Sequence, residues 1–301
     1  MRKIISLFIL SLLALPLSAT EKNNDLDVSL ASAHYSFKMP KLDLPVEQKG
    51  TLNGVNVSYT RHNVLSEYFD NENDVFVSVQ GQYLSGKVDQ TNGLWDGISD
   101  EGFPLSLKDV KINHWDVRIL AGQAYTFKDD LWRLAPYMGI GYNYLSMKPG
   151  AWWGYTQSYH KMKGLYIPLG ATFGFQPSQR VKITLGGEFD ALVHGNYTID
   201  TSDLAPYMPI TVDGITFDQL SNARGDQHGY GFRLNARAEI GYKYLSVFVE
   251  PFFNYMRTSR SGKAEIMRTS TPDADNVYWY MYDRIPPTVT KEYGLRAGVA
   301  F

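Results

Sequence analysis

Beyond about residue 20, apolar and polar residues alternate one by one in runs separated by turn-forming or long polar stretches. Period-two alternation is the mark of a strand with two different faces. Such segments are read at 27–37, 51–61, 74–84, 112–126, 131–145, 162–175, 180–192, 228–240, 245–256 and 289–301. The segment at 112–126 puts Trp115, Val117, Ile119, Ala121 and Tyr125 on one face, and His114, Asp116, Arg118, Gly122 and Thr126 on the other. The segment at 245–256 separates Leu245, Val247, Val249, Pro251, Phe253 and Tyr255 from Glu250 and Asn254 in the same way. The chain closes on Tyr293, Leu295, Ala297, Val299 and Phe301 at every second position.

Alternation of this kind over many strands predicts an all-β fold, a ten-stranded antiparallel transmembrane β-barrel with lipid on one face and lumen on the other. Eight or twelve strands are the alternatives if the first hairpin or a long loop is misread. The connections alternate in length. Lys128-Asp129-Asp130, Pro177-Ser178-Gln179 and Gly241-Tyr242-Lys243 carry turn chemistry and are expected on the periplasmic side. The stretches 38–50, 85–111, 146–161, 193–227 and 257–288 are expected as extracellular loops. The connection from His62 to Asp74 is too long for a tight turn, so the second strand is expected to run on or to bulge there.

Arg2 and Lys3 precede an apolar run from Ile4 to Leu17 and the small-residue site Leu17-Ser18-Ala19. That pattern is a secretory signal peptide over 1–19, with residues 20–301 as one barrel domain in the outer membrane of a Gram-negative bacterium. No later apolar run reaches the length of a membrane-spanning helix. Aromatics at strand ends, Tyr59, Trp132, Tyr142, Tyr144, Phe175, Tyr255 and Phe301, read as interfacial girdles. With a net charge of −2 nothing suggests a nucleic-acid partner, and the absence of cysteine excludes disulfides and thiolate metal sites.

Projected inward, the acids Asp116, Glu188, Asp190, Glu239, Glu250 and Glu292 meet the bases Arg118, Arg133, Lys182, Arg233, Arg237 and Arg296 in equal number. In an interior that side chains can nearly fill, a balanced set is expected to form a salt-bridge network and to leave at most a narrow pore. A small porin or channel is the alternative. His34, His114, His160, His194 and His228 map to the loop-proximal strand ends, where a rim cluster would titrate or bind metal. His114 shares a face with Asp116. Ser29, Ser32 and Ser36 lie near His34, the residue types that lipid A deacylation would need. Loop aromatics Trp95, Trp152, Trp153, Tyr155, Tyr159, Tyr278, Trp279, Tyr280 and Tyr282 would suit an extracellular ligand. No cofactor or metal is expected.

Leu165-Tyr-Ile-Pro-Leu-Gly170, Gly187-Glu-Phe-Asp190, His228-Gly-Tyr-Gly-Phe-Arg233 and Val249-Glu-Pro-Phe-Phe253 resemble a broad group of proteobacterial outer-membrane β-barrel proteins described as porin-like. The resemblance spans about residues 112–301 and implies location and shape without a reaction. The terminal Phe301 resembles the signal read by the barrel-assembly machinery, which would be a partner together with outer-membrane lipid and lipopolysaccharide. Asp226-Gln227-His228 resembles the Asp-His pair of the omptin proteases, which implies water activation by Asp226 and His228. It stands one strand later than in that family, and Asp89, Asp96 and Asp100 lack the tight acidic pair.

Overall fold

The computed structural model describes residues 24–40, 46–64, 74–91, 107–128, 131–148, 159–200, 210–212, 215–217, 219–220, 223–242, 245–262, 267–268 and 285–301. Ten long strands form a closed antiparallel barrel. They are β1 (Asn24–Met39), β2 (Val46–Arg61), β3 (Asp74–Thr91), β4 (Leu107–Phe127), β5 (Trp132–Lys148), β6 (Tyr159–Ser178), β7 (Val181–Asp200), β11 (Ala223–Tyr242), β12 (Leu245–Thr258) and β14 (Val289–Ala300). Four short strands lie in the connections: β8 (Ile210–Val212) pairs with β9 (Ile215–Phe217), and β10 (Gln219–Leu220) with β13 (Met267–Arg268). Each barrel strand pairs with its sequence neighbour in the barrel, and β14 returns to β1 from Asp27↔Ala300 to Lys38↔Val289. Two backbone hydrogen bonds extend the seam to the last residue, from Leu26 N to Phe301 O at 3.2 Å and from Phe301 N to Leu26 O at 2.9 Å. The strand count of ten is therefore settled against eight and twelve.

Closure satisfies the strand edges that would otherwise be exposed in a hydrocarbon environment. The outer face then carries the apolar side chains. Leu30 is 71% exposed and Ile240 61%, alongside Ile119, Met138, Leu185, Leu234 and Val247. In water such a belt would be strongly unfavourable; against lipid it is the expected surface. On the side of the short turns Trp132 packs on Phe173 and Phe175 with ring centroids 5.2 and 4.4 Å apart.

The observed strands cover the predicted segments except for Leu131, Arg180 and Phe301, each one residue beyond a strand, and run further at the long-loop end. Met39, Val46, Thr91, Leu107, Lys148, Tyr159, Asp200 and Ala223 are strand termini, so much of what is expected as loop is barrel wall. The second strand, by contrast, does not run past Arg61. Instead the His62 side chain lies at the vestibule, while the exposed Asn63 takes a φ of 53° and its N donates to Asp74 Oδ1 at 2.9 Å. Strand β7 takes an extra residue at Val193, since Leu165 pairs with His194 and Tyr166 with Leu192. Val193 and His194 both face outward, and the inward set shifts from Leu192 to Gly195.

Candidate functional site

Alternation along each strand sends every second side chain into the lumen, and the lumen divides into three layers. The layer at the long-loop end is apolar. Tyr35, Phe37 and Met39 of β1, Leu52 of β2, Leu84 of β3, Ile112 of β4 and Met147 of β5 are almost wholly buried and belong to one cluster. Ile285, ahead of β14, joins it, held by hydrogen bonds from Ser261 N to Ile285 O at 2.9 Å and from Ile285 N to Ser261 Oγ at 2.8 Å. Some polar groups within this layer are paired: Gln48 Nε2 donates to Gln90 Oε1 at 2.7 Å, and His160 Nδ1 lies 2.8 Å from the Tyr197 hydroxyl, whereas the Tyr35 hydroxyl and Gln48 Oε1 are buried without a hydrogen-bond partner.

The middle layer holds the charges, organised around Arg233 of β11. Its Nη1 and Nη2 donate to the two Asp116 oxygens at 3.0 and 2.9 Å, and its Nε donates to Asp190 Oδ2 at 2.7 Å. Glu188 Oε1 lies 3.2 Å from the same Nε and also pairs with Arg118. The Tyr166 hydroxyl accepts from Nη2 at 2.8 Å and sits 3.0 Å from each Asp116 oxygen, to which it donates. Tyr166 reaches this position because Gly141 faces it: a Cβ on Gly141 would stand 2.2 Å from Tyr166 Cζ. Arg296 pairs with Glu250, and Arg296 Nη2 donates to Gln82 Oε1 at 2.6 Å. His114 Nδ1 meets Glu292 Oε1 at 2.6 Å at the boundary with the apolar layer.

Below lies a vestibule of about 690 Å³ at the short-turn end, lined by Asn56, Ser58, Gln80, Arg118, Tyr137, Lys182, Arg237 and Glu239 among others. Arg237 bridges Asp27 at 2.6 Å and Glu239 at 2.7 Å. At its mouth His62 Nδ1 is 2.6 Å from Asp74 Oδ2 and its Nε2 3.1 Å from Asp25 Oδ2, while Arg133 Nη2 donates to Asp74 Oδ2 at 2.6 Å. Burial alone would lower the His62 pKa, but the hydrogen bonds and charges of Asp25 and Asp74 outweigh it and hold the group at about 9.

All of the projected lumen charges lie on inward positions, yet the expected balance is incomplete. Asp25, Asp27 and Asp74 also line the vestibule and its mouth, and nothing in their local pattern distinguishes them from turn residues. The acids therefore outnumber the arginines and lysines; Glu188 Oε2 and Asp190 Oδ1 have no hydrogen-bond partner.

The histidines do not gather at a rim. His114 and His160 are buried inside the barrel; His34, His194 and His228 point outward, with His34 against Tyr293 at a centroid distance of 5.0 Å. Successive strand positions alternate faces, so proximity to a strand end does not bring side chains together. Among the described residues no three His, Asp or Glu side chains converge as a metal site. His114 shares the inward face of Asp116 but pairs with Glu292, while Asp116 is held by Arg233. Asp226 and His228 lie on the outer face, where Asp226 accepts from Asn196 Nδ2 at 3.1 Å. Ser29 faces the lumen, whereas Ser32 and Ser36 share the outward face of His34. Asp89 is exposed on the outside. Asp96, Asp100 and the loop aromatics, Tyr159 excepted, fall outside the described residues.

No family model and no curated protein matches the chain. Among solved structures it is similar to the attachment invasion locus protein Ail of Yersinia pestis, at 11% identity over 93% of this chain and 99% of that one, with a TM-score of 0.32. It is also similar to the outer membrane protein OprG of Pseudomonas aeruginosa, at 8% identity over 93% and 97% of the two chains, TM-score 0.36. The toluene transporter TodX of Pseudomonas putida matches at 9% identity over 94% and 90%, TM-score 0.35.

Proposed function

We propose that this chain is an outer-membrane protein of a Gram-negative bacterium whose barrel is closed to bulk diffusion, and that it acts as a structural and surface-interaction protein through its extracellular end. The supporting observation is the apolar layer. Tyr35, Leu52, Leu84 and Ile112, each at or near zero exposure, belong to one apolar cluster above the Arg233 network, and the Gln48–Gln90 and His160–Tyr197 pairs beside them are buried too, which among the described residues argues against a path for a hydrated ion. Expelling water from such a layer favours its own closure, because burying each large apolar side chain is worth about 1.5–3 kcal/mol. The vestibule opens toward the short turns, so it serves as a blind cup. In this reading residues 1–19 direct export and are removed, and Phe301 presents the assembly signal.

Solute flux tests the proposal. Proteoliposomes containing the folded chain should retain a small neutral sugar as well as protein-free vesicles do. Rapid efflux through the unmodified protein would overturn the closed-barrel reading.

A further inference from the structure

On β3, β4 and β5 the outward side chains change chemistry in three successive rows toward the long-loop end. The first is aromatic: Tyr83, Trp115 and Tyr144 stand directly opposite one another across the strands, with Tyr83 and Trp115 centroids 4.4 Å apart. The second is a hydrogen-bonding ladder of Ser85, Asn113 and Ser146. Ser85 Oγ and the Tyr83 hydroxyl donate to Asn113 Oδ1 at 2.9 and 3.1 Å, and Asn113 Nδ2 donates to Ser146 Oγ at 3.4 Å. The third places Lys87, Lys111 and Lys148 in direct register. All three lysines are exposed.

Like charges directly opposite on neighbouring strands destabilise a sheet. Elsewhere on the barrel neighbouring lysines are neutralised by a carboxylate: Lys38, opposite Glu47, and Lys49 share it at 2.7 and 2.8 Å. In the β3–β5 row the ion pair seen among the described residues is Lys87 with Asp109 at 3.4 Å, and both of those side chains are mostly exposed. Lys111 and Lys148 make no ion pair with any described residue. On the adjoining strand Lys163 stands opposite Tyr144.

We propose that the Lys87–Lys111–Lys148 row binds the phosphate groups of a phosphorylated glycolipid of the surrounding leaflet, with the partly exposed Ser85 and Asn113, backed by the buried Ser146, meeting its sugar and Tyr83, Trp115 and Tyr144 meeting its acyl chains. The aromatic and lysine rows are four residues apart on each strand, about 13 Å along it. A sugar backbone fills that interval, whereas a single glycerol phosphate brings its charge down close to the acyl esters. The inference rests on the outer-membrane reading above and adds to it a location and a ligand class.

The test uses the full chain folded in phosphatidylcholine bilayers, titrated with lipopolysaccharide, with enzymatically dephosphorylated lipopolysaccharide, and with phosphatidylglycerol. A variant carrying Lys87→Gln, Lys111→Gln and Lys148→Gln is compared with the wild type and with a Lys38→Gln, Lys49→Gln control. Wild type and control should bind the phosphorylated glycolipid at least about tenfold more tightly than the dephosphorylated form, and the triple variant should lose that preference. A preference retained by the triple variant, lost equally in the control, or matched by phosphatidylglycerol overturns the site. Insertion is scored separately by the heat-dependent gel migration of each protein. If the wild type inserts but shows no phosphate preference, only the site falls; if it fails to insert, the outer-membrane reading falls with it.

Discussion

Replacing Arg233 with methionine removes the group on which the middle of the lumen is organised. Its guanidinium holds both Asp116 oxygens and Asp190 Oδ2, lies 3.2 Å from Glu188, and donates to the Tyr166 hydroxyl. Each hydrogen bond to a charged partner is worth about 1.5–3 kcal/mol, but these share one donor group and do not add. The better measure is the loss of one partner from a buried ion pair, about 3–5 kcal/mol, because the charge left behind stays desolvated. Arg118 still pairs with Glu188, and the vestibule below admits water, so we expect a loss near the lower end, about 3 kcal/mol. Reversible urea unfolding in phospholipid vesicles reads this as a shift of the midpoint. Asp116→Asn alone should also destabilise, whereas the double variant should lose less than the sum, with a coupling of about 1–3 kcal/mol. An Arg233→Met protein within about 0.5 kcal/mol of wild type, or strict additivity with Asp116→Asn, would refute the central role of this residue.

Gly141→Ala should cost about 1–3 kcal/mol in the same assay, because its Cβ would meet the Tyr166 ring at 2.2 Å and force that ring off the Asp116–Arg233 pair. Leu84→Ala, in the apolar layer, should cost about 2–5 kcal/mol and make proteoliposomes measurably leakier to small solutes. The His62 cluster gives a pH signature. Its folded pKa of about 9 lies above the ordinary value of 6.5, so its contribution is complete below about pH 6.5 and disappears as pH rises through about 9. Imidazole NMR titration should place the transition there, and His62→Gln should flatten the pH dependence of stability between those limits. Deleting Phe301 removes two hydrogen bonds of the seam as well as the terminal aromatic, so the truncated chain should accumulate less folded barrel in cells, measured by gel migration.

The outward pattern was legible because lipid demands an apolar residue at every second position, as in Val117, Ile119 and Ala121 or Val247 and Val249. The upper walls were not, and β1 shows why. Below the aromatic level Val28 and Leu30 face out; above it Ala33, Tyr35, Phe37 and Met39 face in, while Ser32, His34, Ser36 and Lys38 face out. Alternation says only that two faces differ in polarity. It does not say which one is lumen, and here the polarity inverts partway along a continuous strand. The apolar layer therefore passed for loop or for more membrane face. The charged positions followed from alternation, but their partners did not: Arg233 and Asp116 come together across the lumen, from strands that are not neighbours in the barrel. Asp25 and Asp74 stand at strand ends, where an acid reads as turn chemistry, and it is His62, placed just after the second strand, that joins them, with Arg133 also holding Asp74.

Single-channel recording of the intact chain in a planar bilayer tests the closed lumen most directly. With Tyr35, Leu52, Leu84 and Ile112 packed above the Arg233 network, the membrane should stay at baseline conductance at low voltage once insertion is verified. Persistent open steps at low voltage whose size scales with salt concentration would contradict the account.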